Sequence, residues 1–579
     1  MIELQKMNKR NFRTFGWVQD PSDFESLFKV VSIFDEESET HKELLKNRIS
    51  FLIEERDGRN HFIEELRKKP LKLKYSDLVG TAFYPRKDAR CNGIVQATIE
   101  GQKRKFISDW PADNFIRWAQ CLGFIKYNYY DDTFEITEKG LKWTRSIKEK
   151  SKEEILEEAI LSYPPAVRIL KLLLKGNILT KFEIGKRLGF IGEDGFTSLS
   201  QEIVVKTLAT SEYGKEKNKI RTDTEGSADK YARMIAKWLQ KLGLLQQVGK
   251  DVKVNIGKEI YKENIGQAYV ITAKGIKALN KVDGKSKYKK IAKNVSWEML
   301  STKGNNRNYI RTRRAFVLKI LIENKRGITL QEIIQFLKKN DLVELDSVIK
   351  DDIEGLINIG LNIEIENNKY YFKDIIEDFI IPIIDDNVKS NFNQEKDELR
   401  EKLDTLSHEY LYLLDLAYDS KQNKLFEMKI LELLINECGY RGLHLGGVRK
   451  PDGIIYTEKE KYNYGVIIDT KAYSKGYNLP IGQIDEMIRY IIENNERNIK
   501  RNTNCWWNNF EKNVNEFYFS FISGEFIGNI EEKLNRIFIS TNIKGNAMSV
   551  KTLLYLANEI KAKRISFLEM EKYFDNKVH

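Results

Sequence analysis

Several residue types that mark particular protein classes are scarce in this chain. Its four cysteines, Cys91, Cys121, Cys438 and Cys505, lie far apart and form no CxxC pair, which excludes a zinc signature and a disulfide framework. We interpret them as buried free thiols in a reducing compartment. The five histidines are scattered, so His-metal nuclease and His-based acyl-transfer sites lack their parts.

Long apolar runs are missing as well. Nowhere do about 18 uninterrupted apolar residues occur, and the N-terminus lacks the apolar core of a signal peptide. We therefore expect a soluble, intracellular protein. The segment Asp283-Gly-Lys-Ser286 resembles the end of a P-loop, but Leu279 occupies the place of its first glycine, so we expect no nucleotide cofactor.

Positive charge is in excess, with 97 Lys and Arg against 85 Asp and Glu and a net charge of +12. The excess favours a polyanionic partner such as nucleic acid, although it can also serve solubility alone. The length of 579 residues exceeds what one hydrophobic core supports, and about three to five structural units are expected.

Residues 118–143 and 238–278 look like two copies of one unit. Each copy has a helical pattern that stops at a glycine, Gly123 or Gly243, where a left-handed cap is easiest. Each continues into two stretches that we predict to be short strands and that end in Ile-Thr-x-Lys-Gly. A helix that runs into a two-stranded hairpin, after another helix pair, is the winged form of the helix-turn-helix.

In the second copy, Ser227 can cap a helix with a regular apolar stripe that includes Trp238. A neighbouring face of this helix carries the cations Lys230, Arg233, Lys237 and Lys241. They could meet phosphates or guanine edges, or form an ordinary solvated face.

A third, weaker copy extends from the capping box that begins at Thr329, through Gly360, to an acidic hairpin. Because Glu364 and Glu366 would repel phosphates, we expect this module to dock against protein instead of DNA. The basic cluster at 307–314 argues against that interpretation. The polar stretch from 385 to 400 is predicted to be a hinge.

The residues that most resemble a catalytic site lie near the C-terminus. Asp469 and Lys471 interrupt an apolar strand pattern two residues apart, so both side chains project to one face, roughly 7 Å apart along the backbone. Asp452, in the Pro-Asp-Gly turn, can supply a second carboxylate. Two carboxylates suit Mg²⁺, and the lysine can orient the attacking water or help to deprotonate it, as in phosphodiester hydrolysis. The alternative is a surface turn and a structural ion pair.

The chain resembles the FokI-like type IIS restriction endonucleases of the PD-(D/E)xK nuclease superfamily over nearly its whole length. The most specific segments are Arg13-Thr-Phe-Gly-Trp-Val-Gln19, Asp229-Lys-Tyr-Ala-Arg-Met234, Gly439-Tyr-Arg-Gly, His444-Leu-Gly-Gly, Arg449-Lys-Pro-Asp-Gly453, and Asp469-Thr-Lys-Ala-Tyr473 with Asn478-Leu-Pro-Ile-Gly-Gln483.

The resemblance implies a multidomain α+β and α/β protein. Winged-helix recognition subdomains are expected at 1–150 and 151–290, and a winged-helix-like, protein-docking subdomain at 291–384. A linker at 385–400 and a PD-(D/E)xK cleavage domain at 401–579, a mixed sheet flanked by helices, complete the chain. The implied location is the cytoplasm of a prokaryote.

The resemblance also implies site residues. Asp452, Asp469 and Lys471 match the catalytic set, with Glu427 assisting. Mg²⁺ would be held by Asp452, Asp469 and the main-chain carbonyl of Thr470. The positions that match DNA-reading residues are Gln19, Asp20, Arg86, Gln102, Trp110, Thr222, Glu225, Lys230 and Arg233.

Two of these positions, Asp20 and Thr222, depart from the asparagines of the family. Since aspartate accepts from cytosine where asparagine binds adenine, a recognition site other than the GGATG of the family is physically plausible. The base sequence that is read therefore stays open.

By resemblance, the enzyme binds an asymmetric double-stranded DNA site as a monomer, keeps its nuclease domain packed on the recognition domain, and cuts to one side after two cleavage domains pair. The pairing helix matches 479–493, with Asp485 and Arg489 in reciprocal salt bridges; without the family they would be an ordinary i, i+4 pair.

A competing hypothesis is a DNA-binding regulator whose nuclease-like domain only dimerises. A methyltransferase is disfavoured, since its cofactor loop and catalytic motif are missing.

Overall fold

The computed structural model describes residues 2–6, 16–80, 90–102, 104–211, 214, 217, 220–221, 224–256, 259–285, 288–303, 307–342, 344–383, 399, 402–457 and 463–579. The chain divides into two compact units, Met1–Phe190 with Lys230–Val248 and Gln267–Asn391, and Ile191–Asp229 with Gly249–Gly266 and Phe392–His579. No helix among the described residues is long and apolar enough to cross a membrane. The predicted hinge at 385–400 lies outside the described residues except for Leu399.

Three small sheets within residues 73–372 repeat one arrangement. In each, a two-residue strand pairs with the second strand of a later hairpin, in the orders β2-β4-β3, β5-β7-β6 and β8-β10-β9. A separate parallel pair joins β1 to β11. The strands are β1 (Ile2–Lys6), β2 (Leu73–Lys74), β3 (Ile125–Asn128), β4 (Thr133–Ile136), β5 (Leu179–Thr180), β6 (Leu245–Ile256), β7 (Glu259–Ile271), β8 (Ile328–Thr329), β9 (Ile363–Glu366), β10 (Lys369–Phe372) and β11 (Phe379–Ile383).

Each of these sheets is accompanied by helices in the same order. A helix follows the two-residue strand, and another precedes the hairpin, as in three winged-helix modules. The α-helices before residue 384 include Phe24–Ser32, Glu39–Glu43, Ile49–Leu52, Arg56–Arg67, Tyr75–Val79, Ile94–Thr98, Asp109–Cys121, Glu138–Thr144, Glu149–Ser162, Pro164–Leu172, Lys181–Gly185, Gln201–Thr210, Ser227–Lys241, Ala273–Val282, Arg307–Glu323, Leu330–Lys338 and Asp346–Asn358.

The Ile-Thr-x-Lys-Gly repeat ends a strand and begins a helix. In the first copy, Thr137 Oγ1 accepts from the Gly140 N–H at 3.0 Å and donates to the Gly123 carbonyl at 2.7 Å. A Cβ on Gly140 would lie 2.3 Å from the Phe124 carbonyl oxygen, so only glycine fits there. One threonine thus ties the helix cap before the wing to the helix after it.

The second copy repeats these contacts. Thr272 Oγ1 accepts from the Gly275 N–H at 3.1 Å and donates to the Gly243 carbonyl at 2.7 Å. The tryptophans that the two copies share, Trp118 and Trp238, stack on each other in the core with ring centroids 4.8 Å apart. The repeated sequence therefore builds two modules that pack through equivalent residues.

The prediction of short strands is correct for the first hairpin and wrong for the second. There the strands run for 12 and 13 residues. The alternation of buried Val252 and Val254 with exposed polar residues continues to the end of β6, which favours an extended two-stranded ribbon.

Three of the four arginines in the basic cluster of the third module are internal, and Arg307 is exposed. Arg311, Arg313 and Arg314 are buried, and Arg313 and Arg314 both donate to the buried Asp352, at 2.6 and 2.7 Å. These three cations serve the interior of the module, so they do not argue for DNA contact. Protein docking by the module stays a prediction.

The C-terminal region contains a five-stranded mixed sheet in the order β12-β13-β14-β15-β16. The first three strands pair antiparallel and the last three parallel. The strands are β12 (Arg441–His444), β13 (Gly453–Tyr456), β14 (Tyr464–Lys471), β15 (Glu516–Ser523) and β16 (Gly545–Ser549), and the α-helices are Leu413–Leu416, Asn423–Glu432, Ile481–Glu496, Ile530–Thr541, Val550–Lys561 and Phe567–Glu571.

Alternating strand residues divide between two apolar cores, one on each face of this sheet. Ile455 and Ile468 pack with the helix residues Phe426 and Leu553 on one face. The opposite core contains Ile454, Ile467, Met487 and Leu534. Asp469 and Lys471 have the parity of Ile467 and therefore belong to that second face.

Part of the middle region packs within the same unit as this sheet. The Gln201–Thr210 helix lies against β12. Nearby, the buried Asp229 accepts from Ser198 Oγ at 2.5 Å, from the Gly226 N–H at 2.9 Å and from the Leu199 N–H at 3.1 Å. This carboxylate fixes the loop before the Gln201–Thr210 helix to the first turn of the Ser227–Lys241 helix.

Candidate active site

Asp452 directly precedes β13 and is held through both its carbonyl and its carboxylate. The N–H groups of Leu445 and Gly446 donate to its carbonyl oxygen at 2.8 and 3.2 Å, so the preceding loop closes back on it. Its carboxylate oxygen Oδ2 accepts from the Thr470 N–H at 2.7 Å and from Thr470 Oγ1 at 3.2 Å. The side chain is therefore oriented toward β14.

Asp469 and Lys471 project from β14 beside that carboxylate. Lys471 Nζ donates to Asp469 and lies 3.6 Å from Asp452 Oδ2. The antiparallel register, in which Gly453 is opposite Ile468, brings the start of β13 next to the end of β14. The structure thus brings all three predicted residues together where β13 starts and β14 ends.

The electrostatics of the three residues are unbalanced toward negative charge. Burial and the adjacent Asp452 carboxylate raise the pKa of Asp469 well above its usual range, although Lys471 opposes them. Burial would lower the pKa of Lys471, but the two carboxylates outweigh it and raise that pKa above its ordinary value. Lys471 is therefore the one cation shared by two neighbouring carboxylates, and a further cation would favour the ionised form of Asp469.

The donor set fits a hard divalent cation that retains water. Within the described ranges, no cluster of three or more His, Cys, Asp or Glu side chains could hold a metal ion. An ion at Asp452 and Asp469 would take its other ligands from main-chain and water oxygens, as Mg²⁺ usually does. The predicted carbonyl ligand, that of Thr470, lies between Asp469 and Lys471 on β14.

Glu427 is placed against a histidine. It lies on the Asn423–Glu432 helix, whose Asn423 Oδ1 accepts from the Ala472 N–H at 3.1 Å and so fixes the helix to the chain after β14. Its Oε2 is 3.2 Å from His444 Nε2. His444 ends β12 opposite Gly453, with a nearly buried side chain. Neither the contact of His444 with Glu427 nor that of Asn423 with Ala472 has a local signal in the sequence, because each joins residues that are far apart along the chain.

The predicted DNA-reading residues are spread over the described and undescribed chain. Asp20 and Gln102 are exposed, and Gln19, Lys230 and Arg233 are half-buried. Trp110 is 44 % exposed at the first turn of the Asp109–Cys121 helix, and Glu225 is buried. The predictions for Arg86 and Thr222 lie outside the described residues.

The two predicted interface residues have other partners within the chain. Asp485 lies 3.7 Å from Arg536, with both side chains more than half exposed. Arg489 bonds to Glu486 at 3.2 Å. Both belong to the Ile481–Glu496 helix, and the ordinary i, i+4 pair is not the contact that they make.

Family models of FokI match in chain order: recognition subdomain 1 over residues 13–146, recognition subdomain 2 over 152–287, the D3 domain over 300–368 and the cleavage domain over 389–579. The chain is 46% identical over 571 residues to the type II restriction enzyme FokI of Planomicrobium okeanokoites, covering 97% of this chain and 98% of that protein. It is 34% identical over 595 residues to the type II restriction enzyme StsI of Streptococcus sanguinis, covering 99% and 96%.

Solved structures share the architecture. A structure of restriction endonuclease FokI superposes with a TM-score of 0.91, and one of FokI bound to DNA with 0.93. Each is 45% identical in sequence, and each match covers 98% of this chain and 100% of the other.

Proposed function

The chain belongs to the FokI family of type II restriction enzymes, and we propose that it is a type IIS restriction endonuclease. It binds a short asymmetric site in double-stranded DNA and hydrolyses one phosphodiester bond in each strand at a fixed distance to one side. The observation that carries this proposal is that Asp452, Asp469 and Lys471 lie together where β13 starts and β14 ends. All three are within the segment that matches the cleavage domain.

We propose Mg²⁺ as the cofactor, held by Asp452, Asp469 and the Thr470 carbonyl. Once bound, it supplies a Lewis acid and lowers the pKa of the attacking water. Thr470 keeps the Asp452 carboxylate in place through its N–H and hydroxyl. Lys471, which stays protonated, orients the water and offsets the negative charge that develops on the phosphate oxygens. Glu427 assists from its helix.

The proposed division of labour follows the domain boundaries expected from the sequence. Residues 1–150 and 151–290 read DNA, 291–384 dock against protein, and 401–579 cut. The candidate reading residues are Gln19, Asp20, Arg86, Gln102, Trp110, Thr222, Glu225, Lys230 and Arg233. The exposed or half-buried state of most described members of this set supports the assignment.

We further propose that cleavage of both strands requires a second copy of the chain. Asp485 and Arg489 lie on one helix, and within the chain they contact Arg536 and Glu486 instead of each other. In a two-fold interface each could meet the copy of the other. The ion pairs of Asp485 with Arg536 and of Arg489 with Glu486 are partly exposed, so each residue could replace its present partner by one on a second chain.

Digestion of plasmid DNA tests the proposed function. Wild-type protein with Mg²⁺ should give discrete fragments, whereas Asp469→Ala should give none and still shift a DNA fragment that contains the site. Discrete fragments that persist in Asp469→Ala would overturn the active-site assignment. Specific shifts without cleavage under Mg²⁺ or Mn²⁺ would favour a DNA-binding regulator.

A further inference from the structure

Tyr477 carries a buried hydroxyl without a hydrogen-bond partner among the described residues. The residue is 1 % exposed, and its Oη is buried and bonds to nothing. A buried hydroxyl without a partner is unfavourable, and such groups in a native fold call for a specific explanation. A partner that arrives with a ligand is one.

The backbone places this residue beside the proposed catalytic lysine. β14 ends at Lys471, which pairs with Ser523 on β15 and receives a hydrogen bond from Ser523 Oγ on its carbonyl at 2.7 Å. After a short loop the chain returns, and the Tyr477 N–H donates to the Glu525 carbonyl at 2.8 Å, forming a bridge with Phe526. Tyr477 therefore lies just beyond the ends of the two parallel strands.

Its ring is held on the face of the sheet that carries Asp469. Tyr477 belongs to the apolar core of Ile467 and Leu479. Tyr473 stacks over it with centroids 5.2 Å apart and planes 19° apart. Because the main chain is bridged and the ring is packed, the ring and its hydroxyl are held in a fixed position.

The charges of the site act on this hydroxyl. Burial, followed by the Asp469 carboxylate, raises the pKa of Tyr477 well above its ordinary value, with Lys471 opposing. The hydroxyl therefore keeps its proton at neutral pH and can act as a donor. It is a neutral donor that interacts electrostatically with the charged donor of Lys471.

Given the nuclease function proposed above, we propose that Tyr477 Oη is a catalytic hydrogen-bond donor. It donates to an oxygen that arrives with the substrate at Asp452, Asp469 and Lys471. That oxygen belongs either to the scissile phosphate or to the attacking water, since both present the same acceptor chemistry. The unmet bond in the free protein is then the bond that forms during cleavage.

Tyr477→Phe tests this, because it removes the hydroxyl and keeps the ring. We expect single-turnover cleavage with Mg²⁺ to fall about 10²-fold, the scale of losing one donor to developing charge. The affinity for site DNA in Ca²⁺ should be unchanged, and the thermal midpoint should stay level or rise, because no bond of the free protein is lost. The matched control, Tyr473→Phe, should cut at the wild-type rate.

Each contrary result is distinct. A lower thermal midpoint for Tyr477→Phe would show that the hydroxyl supports the fold, and full cleavage would show that it contacts no reacting oxygen; either overturns the inference. Asp469→Ala in the same assay separates this failure from that of the proposed function. If Asp469→Ala is inactive while Tyr477→Phe cuts normally, only the role of Tyr477 is wrong.

A phosphorothioate at the scissile position distinguishes the two oxygens. Sulfur is a poorer hydrogen-bond acceptor, so a phosphate contact predicts that the loss in Tyr477→Phe shrinks on this substrate. A contact with the attacking water predicts an undiminished loss. Both outcomes support a contact with a reacting oxygen and differ only in which oxygen it is.

Discussion

Two buried aspartates in this protein have opposite surroundings. Asp352, in the third recognition module, is buried, yet its pKa is held below the usual range because Arg313 and Arg314 outweigh the effect of burial. Asp469, in the cleavage domain, is almost as buried, but its pKa is raised, because burial and Asp452 outweigh Lys471. The first carboxylate has its counter-charges within the fold, and the second shares one cation with another carboxylate.

The difference separates a structural ion pair from a site prepared for a ligand. A buried ion pair with full hydrogen bonding adds little net stability, but removal of one partner strongly destabilises the fold because the other charge is left buried and unpaired. A buried charge with an incomplete set of partners lowers stability and marks a functional site. We therefore expect substitutions at Asp352 to affect folding, and substitutions at Asp469 to affect chemistry.

Asp469→Asn should show the largest effect. It keeps the size of the side chain and removes the charge, so we expect the cleavage rate to fall by about 10³-fold or more, as when a cooperating catalytic group is lost. The thermal midpoint should not fall, because a like-charge contact with Asp452 is relieved. Single-turnover digestion and a melting curve measure both. A large loss of stability would place Asp469 in the same class as Asp352.

Asp352→Asn should show the reverse. It leaves Arg313 and Arg314 buried beside a neutral amide, at a cost of about 3–5 kcal/mol in the free energy of unfolding of that module. Unfolding in urea, monitored by proteolysis of the recognition subdomains, measures this change in the free energy of unfolding. Exposed Glu354, on the same helix, supplies the control, since Glu354→Gln should change stability by less than about 0.5 kcal/mol. Equal effects of the two substitutions would contradict the comparison.

The pH dependence of stability should follow the same residue. Because the pKa of Asp352 is lowered by folding, its contribution is complete above its unfolded value of about 3.9 and is lost as the pH falls below it. The difference in unfolding free energy between wild type and Asp352→Asn should therefore be constant from pH 5 to 7 and shrink in acid. A difference that grows in acid would reverse the sign argued here.

An exposed carboxylate extends the comparison to a smaller effect. We expect Asp485→Ala to slow double-strand cleavage about 10-fold at low enzyme concentration, with recovery at high concentration, because only self-association is weakened. Arg536→Ala is the matched control, since it breaks the same intramolecular ion pair. If both variants lose the same activity, that internal pair is responsible. Loss of site binding by Asp485→Ala would also contradict the proposal.

Features with a local sequence signal were predictable. The two-residue spacing of Asp469 and Lys471 requires only the alternation of a strand, and Gly123 and Gly243 mark helix ends, with φ near +70°. The three winged-helix modules and the mixed sheet followed from such patterns together with the family resemblance.

Features that depend on distant packing were not predictable. The stack of Trp118 on Trp238, the pairing of β1 with β11 and the contact of Glu427 with His444 all join segments far apart in sequence. The buried hydroxyl of Tyr477 is of the same kind, since a tyrosine in an apolar stretch gives no sign of whether its oxygen finds a partner.

The position of the cut tests the central claim most directly. DNA with a single recognition site should be digested and the ends of both strands sequenced, with wild-type protein and with Asp469→Ala. We predict ends at one fixed offset on one side of an asymmetric sequence, and no ends above background for the variant. Cuts within the recognition sequence, cuts at random, or the same ends from Asp469→Ala would contradict this account.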